Sequence, residues 1–251
     1  MKNKIINAFD QADQYANHAV LQRQVVHTLA GRLPALSQPR ILELGCGTGL
    51  LSQQLLARWP QSPLVCSDIS HAMVRRCRTT LGERANLLYA VMDGEQPAVR
   101  PGFDLIATSM VLQWFTEPLR SLSALHALLA PGGLLAFATL GAETFREWQT
   151  ACTALGLAHG LAPRPAAAAW QQAWPTAGAA RIWEERITLH HPSGLAFLQN
   201  LRALGAHLPT PGYHPLTAGQ LRRLLRSLEH AETGQGFAIT YHVLYGLFGK
   251  T

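Results

Sequence analysis

One stretch constrains the fold more than any other, an apolar run at residues 41–44 that breaks into glycines at positions 45, 47 and 49. The run predicts a buried β-strand, and it holds one carboxylate, Glu43. Glycine adopts positive φ and lets a ligand approach the main chain, so this loop suits a bulky cofactor. A dinucleotide loop would require glycine at position 50, where this chain has leucine, so a nicotinamide cofactor is disfavoured.

Two further apolar runs also end in a carboxylate. Residues 64–66 lead into Asp68, 23 residues after Gly45, and residues 87–92 lead into Asp93. A carboxylate at the tip of the second strand can accept hydrogen bonds from both ribose hydroxyls of a nucleoside. Each acid alone would more often be a helix cap or a turn residue, but three in this order favour a cofactor site.

An acidic residue followed by Gly-x-Gly-x-Gly resembles the first motif of class I S-adenosylmethionine-dependent methyltransferases. The resemblance implies S-adenosylmethionine as the cofactor, with Asp93 at the adenine amino group and the preceding residue packed on the ring. It implies cofactor contacts from Glu43, Gly45, Cys46, Gly47, Asp68, Ile69, Met73, Met92, Asp93, Gly94 and Ser109.

Strand and helix patterns alternate through residue 139. This order predicts an α/β fold with a doubly wound, mostly parallel sheet. The resemblance implies a seven-stranded sheet of the Rossmann-like class I methyltransferase type. Residues 131–133 are expected to form a tight turn before a fifth strand at 134–139. Asn17, Ser70 and Thr217 are expected to cap helices. Strands at 181–191 and 237–246 are expected to form a C-terminal antiparallel hairpin.

Length and composition predict a single domain. The chain has 251 residues, of which 48% are hydrophobic and 14% charged, enough for one sizeable core. We divide it into an N-terminal lid and helix (1–35), a cofactor-binding core (36–141), helical cap insertions with one sheet strand (142–236) and a final strand (237–251). No apolar run approaches the ~20 residues that cross a bilayer. We therefore expect a cytoplasmic protein without a membrane partner.

Metal binding is not expected from the sequence. The eleven histidines are scattered, and His190 and His191 would point to opposite faces of a strand. The four cysteines lack paired or metal-type spacing, so we expect reduced thiols.

Five further segments carry a narrower resemblance, to the malonyl-[acyl-carrier protein] O-methyltransferases of biotin synthesis. It implies methyl transfer to the free carboxylate of a malonyl thioester, on an acidic acyl carrier protein or on coenzyme A. His207 departs from this family's pattern, which would have a hydroxylated residue there. Trans-aconitate methyltransferases share much of the pattern and remain the alternative. The segments are residues 9–22, Leu112-Gln113-Trp114, residues 137–141, residues 201–207 and residues 239–246.

A carboxylate acceptor needs no general base, because a carboxylic acid with a pKa of about 4 is already ionised at neutral pH. The protein must instead dehydrate and align the acceptor. The resemblance implies that the N-terminal segment is a lid in which Tyr15 orients the reactants. We expect substrate contacts from Tyr15, His18, Trp114 and Arg202, with the Arg202 cation holding one carboxylate oxygen.

The formal charge of +6 raises a rival class, an RNA-binding protein or base methyltransferase. Enzymes that methylate exocyclic amines carry a Pro-Pro-aromatic turn after the fourth strand, and residues 108–111 lack it. We therefore expect no nucleic-acid partner. A cofactor-binding protein without activity remains a third hypothesis. Arg222 and Arg226, one helical turn apart, are the predicted docking residues for an acidic carrier.

Overall fold

A computed structural model describes residues 2–11, 19–176, 179–206, 210, 212–230 and 237–251, with the backbone alone at positions 229 and 230. Its helices are α1 (Lys2–Asp10), α2 (Val20–Arg32), α3 (Leu50–Arg58), α4 (His71–Leu81), α5 (Pro118–Leu128), α6 (Arg146–Ala154), α7 (Ala167–Ala173), α8 (Gly194–Ala203) and α9 (Ala218–His230). Its strands are β1 (Ile41–Leu44), β2 (Leu64–Asp68), β3 (Leu87–Val91), β4 (Phe103–Ser109), β5 (Leu129–Leu140), β6 (Ala180–His191) and β7 (Phe237–Gly249).

The strands form one seven-stranded sheet in the order β3-β2-β1-β4-β5-β7-β6. The first five strands pair in parallel, while β7 runs antiparallel to both β5 and β6. The predicted mostly parallel sheet and its C-terminal antiparallel hairpin are therefore confirmed. The chain order reverses direction beside β1, between β2 and β4, and a ligand crevice is expected at such a point.

Alternation of side chains along the strands builds two cores, one on each face of the sheet. Ile41 of β1 packs with α2, α3 and α4, through residues such as Leu29 and Leu55. Leu42 and Leu44 face the opposite side, where they pack with α5 and α7. Covering both faces buries β1 and most of β2 and β4, which is why their sequences are almost continuously apolar, whereas the edge strand β3 leaves Leu88 and Val91 exposed.

Local sequence signals explain several helix ends. The Ser70 hydroxyl accepts a hydrogen bond from Met73 N at 3.0 Å and so caps α4, as predicted. Thr217 and Gln220 form a capping box, in which Gln220 N donates to Thr217 Oγ1 and Thr217 N donates to Gln220 Oε1. The predicted cap Asn17 lies outside the described residues.

The fifth strand was expected to begin at Leu134 after a tight turn at residues 131–133, but β5 begins at Leu129 and includes these residues, with Gly132 at a φ of 75°. The last residues of the chain hold this stretch in the sheet. Gly132 N donates to Lys250 O at 2.8 Å, and Lys250 N donates to Gly133 O at 2.9 Å. At these glycines the pairing of β4 with β5 shifts register, as at a β-bulge.

No helix in the described part of the chain combines the length and the apolar character that crossing a membrane requires.

Candidate active site

The glycine loop lies between β1 and α3, where all three glycines adopt positive φ. A Cβ atom built on Gly45, which has a φ of 69°, would lie 2.2 Å from Val111 Cγ2. A side chain at position 45 is therefore excluded both by the backbone conformation and by the neighbouring loop. Gly47 has a φ of 53°, but its Cβ would meet nothing within 4 Å. The loop thus presents its main chain to a cleft at the carboxyl ends of the strands.

Asp68 lies at the end of β2 and is held by two main-chain donors. Gly47 N donates to its Oδ2 at 3.0 Å, and Ser70 N donates to its Oδ1 at 2.9 Å. Burial raises the pKa of Asp68 to about 6, although these two hydrogen bonds act in the opposite direction. Each carboxylate oxygen keeps a free lone pair, so Asp68 presents a fixed pair of acceptors to the cleft.

The cleft brings together most of the predicted cofactor residues. Trp114, a predicted substrate residue, also lines the cleft. The predicted cofactor residues that line it are Gly45, Gly47, Asp68, Ile69, Met73, Met92, Asp93, Gly94 and Ser109.

Glu43 and Cys46 were expected to contact the cofactor, but the structure places them beneath the cleft and not on its wall. Glu43 is 1% exposed, and its Oε2 accepts a hydrogen bond from Ser52 Oγ of α3 at 2.5 Å. Cys46 is also buried, and its main-chain N donates to Ser67 O at 2.8 Å. Glu43 thus links β1 to α3, and Cys46 links the glycine loop to β2. All four cysteines are buried and free.

Burial raises the pKa of Glu43 to about 8, and the hydrogen bond from Ser52 only partly opposes this shift. The side chain is therefore mainly protonated at neutral pH. Because the folded pKa lies above the unfolded value of 4.5, Glu43 stabilises the fold most at low pH, and this contribution is lost as pH rises towards 8.

We expect Glu43→Gln, a neutral replacement of similar shape, to remove this pH dependence. Its free energy of unfolding should match that of the unchanged protein below about pH 4, before the window opens, and exceed it near pH 9. The difference should grow by up to about 1.4 kcal/mol for each pH unit inside the window. Urea denaturation at several pH values measures it. Parallel pH curves for the two proteins would show that Glu43 ionises normally.

Helix α1, which the sequence did not predict, lies along part of the cleft, and the lid function expected of the N-terminal segment stays a prediction. Lys2, Ile5 and Phe9 line the cleft. Lys2 Nζ lies 2.5 Å from Asp93 Oδ2 and 2.8 Å from Glu95 Oε2. The ion pair occupies one oxygen of the carboxylate that was predicted to hold the adenine amino group.

The other end of α1 is fixed to the cleft wall. Ser70 Oγ donates to Asp10 Oδ1 at 2.5 Å, and the rings of Phe9 and Trp114 meet edge to face with centroids 5.5 Å apart. The spacing of Ile5 and Phe9 could have indicated a short amphipathic helix, but its partner surface exists only in the folded protein. The expected lid and substrate residues Tyr15 and His18 lie outside the described residues, as does His207.

A second cavity, of about 560 Å³, adjoins the cleft and shares Phe9, Met110, Trp114 and Phe115 with it. A volume of this size suits a small organic ligand. Met110 has a φ of 61° at this junction, a strained conformation for a residue other than glycine and one that often marks functional sites. Trp114 lies at this junction between the cleft and the adjoining cavity, and its role as a substrate residue stays a prediction.

The cavity walls are mostly apolar, with a few fixed polar groups. Gln113 donates from Nε2 to Met110 O at 2.9 Å and accepts from Thr139 Oγ1 at 3.1 Å. Arg164, His190, His191 and Asn200 also line the cavity. Sequence reasoning missed Arg164, because nothing local distinguishes it from a surface arginine in a proline-rich loop.

The remaining predicted residues lie elsewhere. Arg202 is exposed on α8, and among the described residues it lines neither the cleft nor the adjoining cavity, whereas its neighbours Leu201 and Leu204 do line the cavity. Arg222 and Arg226 are exposed on α9, as a docking role would require. Their predicted roles stay predictions.

Comparisons with solved structures support the fold. The YcgJ protein from Bacillus subtilis aligns with a TM-score of 0.63 and 13% identity, over 90% of this chain and 98% of that one. The [4+2]-cyclase SpnF aligns with a TM-score of 0.55 and 17% identity, over 91% of this chain and 82% of that one. At these identities the likeness shows the fold alone, and the cyclase illustrates that this fold hosts more than one kind of reaction.

Sequence comparison is more specific. A family described as "Methyltransferase domain" matches residues 42–135. A malonyl-[acyl-carrier protein] O-methyltransferase from Magnetococcus marinus is 41% identical over 97% of this chain and 91% of its own length. One from Geobacter sulfurreducens is 30% identical over 98% of both chains. The chain therefore belongs to the malonyl-[acyl-carrier protein] O-methyltransferase family, on a class I methyltransferase fold.

Proposed function

We propose that this protein transfers the methyl group of S-adenosylmethionine to the free carboxylate of a malonyl thioester on an acyl carrier protein. The observation that carries the proposal is family membership over nearly the whole chain, at 41% identity to a relative whose name states that substrate. The product would be the malonyl methyl ester that serves as primer for pimeloyl and biotin synthesis.

The residues of the cleft fit S-adenosylmethionine. Asp68 offers two fixed acceptors for ribose hydroxyls. Asp93 Oδ2 already pairs with Lys2 and its Oδ1 accepts from Glu95 N, so the adenine amino group would use a remaining lone pair of this carboxylate. Ser109 Oγ lines the cleft and is buried without a hydrogen-bond partner among the described residues, so it is available to a ligand. When bound, the cofactor supplies a sulfonium methyl group that an ionised carboxylate oxygen can accept.

The protein's own contribution is positioning and exclusion of water. Helix α1 covers the cofactor cleft, and the Phe9 and Trp114 rings lie at the junction with the adjoining cavity. An apolar junction dehydrates an entering carboxylate and holds it beside the methyl group, an effect that can reach about 7 to 11 kcal/mol in favourable cases. Tyr15 and His18, in the segment that follows α1, are proposed to complete this closure. Residues 142–236 are proposed as the substrate cap, since 161–165 and 189–191 line the cavity.

Growth complementation tests the biological role. The gene should restore growth without biotin to a bacterial strain that lacks its own malonyl-carrier methyltransferase, and a variant with Asp68→Ala should not. A protein that methylates trans-aconitate or another small carboxylate, or that only binds the cofactor or RNA, would leave the strain dependent on biotin. The four buried thiols are free, which agrees with a reducing cytoplasm as the place of this reaction.

We propose that the carrier docks on the exposed arginines of α9. The charge-reversed pair Arg222→Glu with Arg226→Glu should raise KM for malonyl-carrier several-fold and weaken its salt dependence, because rim charges act mainly on association and are screened by salt. Steady-state kinetics at several salt concentrations measures the effect. If malonyl-coenzyme A is accepted, its KM and kcat should be the same in the double variant as in the unchanged protein.

A matched control makes the same charge change elsewhere. Arg84 and Arg100 are exposed and precede β3 and β4, at the amino ends of the strands and away from the cleft. Reversing both should leave KM for malonyl-carrier unchanged. Equal losses from the two double variants would point to net charge and not to a docking surface on α9.

A further inference from the structure

The wall of the 560 Å³ cavity contains a cation without an anionic partner. Arg164 lines the cavity and is half-buried. In the described part of the chain no carboxylate lies within ion-pairing distance of its guanidinium, and no hydrogen bond holds it. Burial alone lowers the pKa of Arg164 to about 10, so the side chain remains charged at neutral pH.

The loop that carries Arg164 is fixed in place. Prolines at 163 and 165 flank it and restrict the backbone on both sides. Upstream in the same loop, Trp148 Nε1 donates to His159 O at 3.1 Å, and Thr210 N donates to Gly160 O at 2.9 Å. The backbone at Arg164 is therefore restricted at the cavity wall, so a ligand that pairs with the cation has to order only the side chain and not the loop.

Removing a cation from water without a counter-ion is unfavourable, and the cost falls when an anionic ligand enters. An arginine suits a carboxylate in particular, because its planar fork can donate two parallel hydrogen bonds to the two oxygens. A second group that can donate lies in the same wall: His191 Nε2 is buried and has no hydrogen-bond partner among the described residues, and it donates in the tautomer that carries its proton. Both groups complement an acceptor that carries negative charge.

We propose that Arg164 pairs with the free carboxylate of the acyl substrate and selects malonyl over uncharged acyl groups. This inference rests on the proposed function and replaces Arg202, which is exposed, as the carboxylate-binding cation. Each carboxylate oxygen has two lone pairs, so one oxygen can accept from Arg164 and still attack the methyl carbon. Methylation removes the negative charge, which ends the ion pair and favours release of the ester.

The test compares Arg164→Met with Arg164→Lys and with Arg84→Met, an exposed arginine on another part of the surface. Arg164→Met should raise KM for malonyl-carrier by roughly 30-fold or more, the usual size for one partner of a buried charge pair. Arg164→Lys should recover part of this loss, and Arg84→Met should have no effect. Inhibition by acetyl-carrier, which has the same arm but no carboxylate, should be unchanged in all variants, as should the affinity for S-adenosylhomocysteine.

Two results would overturn the inference. An unchanged KM in Arg164→Met would do so, and so would an equal loss of affinity for malonyl- and acetyl-carrier, which would assign Arg164 to the shared phosphate-bearing arm. If Arg164→Met does not fold, a binding measurement on the unchanged protein still tests the inference. Malonyl-carrier should bind at least tenfold more tightly than malonamyl-carrier, its neutral analogue. Equal affinities would refute a cationic selector. If the unchanged protein does not methylate malonyl-carrier at all, the proposed function itself fails.

Discussion

Replacing Asp68 with alanine should abolish binding of S-adenosylhomocysteine at ordinary concentrations while the fold persists. Two main-chain donors hold the carboxylate towards the cleft, so its loss removes two charge-assisted hydrogen bonds to a ribose. The expected cost is on the order of 3 kcal/mol, or more than 100-fold in Kd. Because burial raises the pKa of Asp68 to about 6, the ionised group carries an energetic penalty in the unliganded fold, and its removal should not unfold the protein.

Calorimetric titration with S-adenosylhomocysteine measures this effect, and thermal denaturation checks the fold. Asp104→Ala is the matched control, since Asp104 is an exposed aspartate near the start of β4 that accepts a hydrogen bond from Arg40 N.

The affinity of the unchanged protein for S-adenosylhomocysteine should also depend on pH. Affinity should be flat above about pH 6 and fall below it as Asp68 becomes protonated and loses its full acceptor capacity. Unchanged affinity in Asp68→Ala would remove the ribose assignment.

Replacing Gly45 with alanine should be far more damaging than the same change at Gly47. Both have positive φ, which costs a residue with a Cβ about 1 to 2 kcal/mol. Only at position 45 would the new Cβ overlap a neighbour, lying 2.2 Å from Val111 Cγ2. The combined strain should reach about 3 kcal/mol or more, which corresponds to a drop in Tm on the order of 10 °C for a chain of this size.

A double-mutant cycle separates the overlap from the backbone strain. Val111→Ala removes the two Cγ atoms that the new Cβ would meet, so it should restore part of the stability of Gly45→Ala. Gly47→Ala, with open space around its Cβ, should lose only the stability that the positive φ costs. Equal losses at positions 45 and 47, with no rescue by Val111→Ala, would mean that the loop moves away from Val111 at no cost.

The parallel half of the sheet could be predicted because its signals are local. The strands at 41–44, 64–68, 87–91 and 103–109 coincide with apolar runs in the sequence. The Ser70 cap could be predicted from one residue type and its position before a helical pattern. Helix α1 could not, since nine residues with few apolar positions are stable only against a surface that other segments build. Likewise, pairing with the end of the chain includes Gly132 and Gly133 in β5, which the local turn signal could not indicate.

The cofactor cleft was largely predictable, and the acceptor cavity was not. Acids and glycines at strand ends meet at one edge of a parallel sheet whatever the rest of the chain does. Glu43 shows the limit of that rule, because its side chain is directed towards Ser52 of α3 and away from the cleft. Arg164 and Arg202 look alike in sequence, and only tertiary packing places one in the cavity wall and the other in solvent.

The central claim is methyl transfer to a malonyl carboxylate, and one assay tests it directly. The purified protein is mixed with methyl-labelled S-adenosylmethionine and, in parallel, malonyl-carrier or acetyl-carrier. We predict that label appears on malonyl-carrier as a base-labile methyl ester, in step with S-adenosylhomocysteine, and that acetyl-carrier stays unlabelled. Binding of S-adenosylhomocysteine by the same preparation, with no label on malonyl-carrier, would contradict the account.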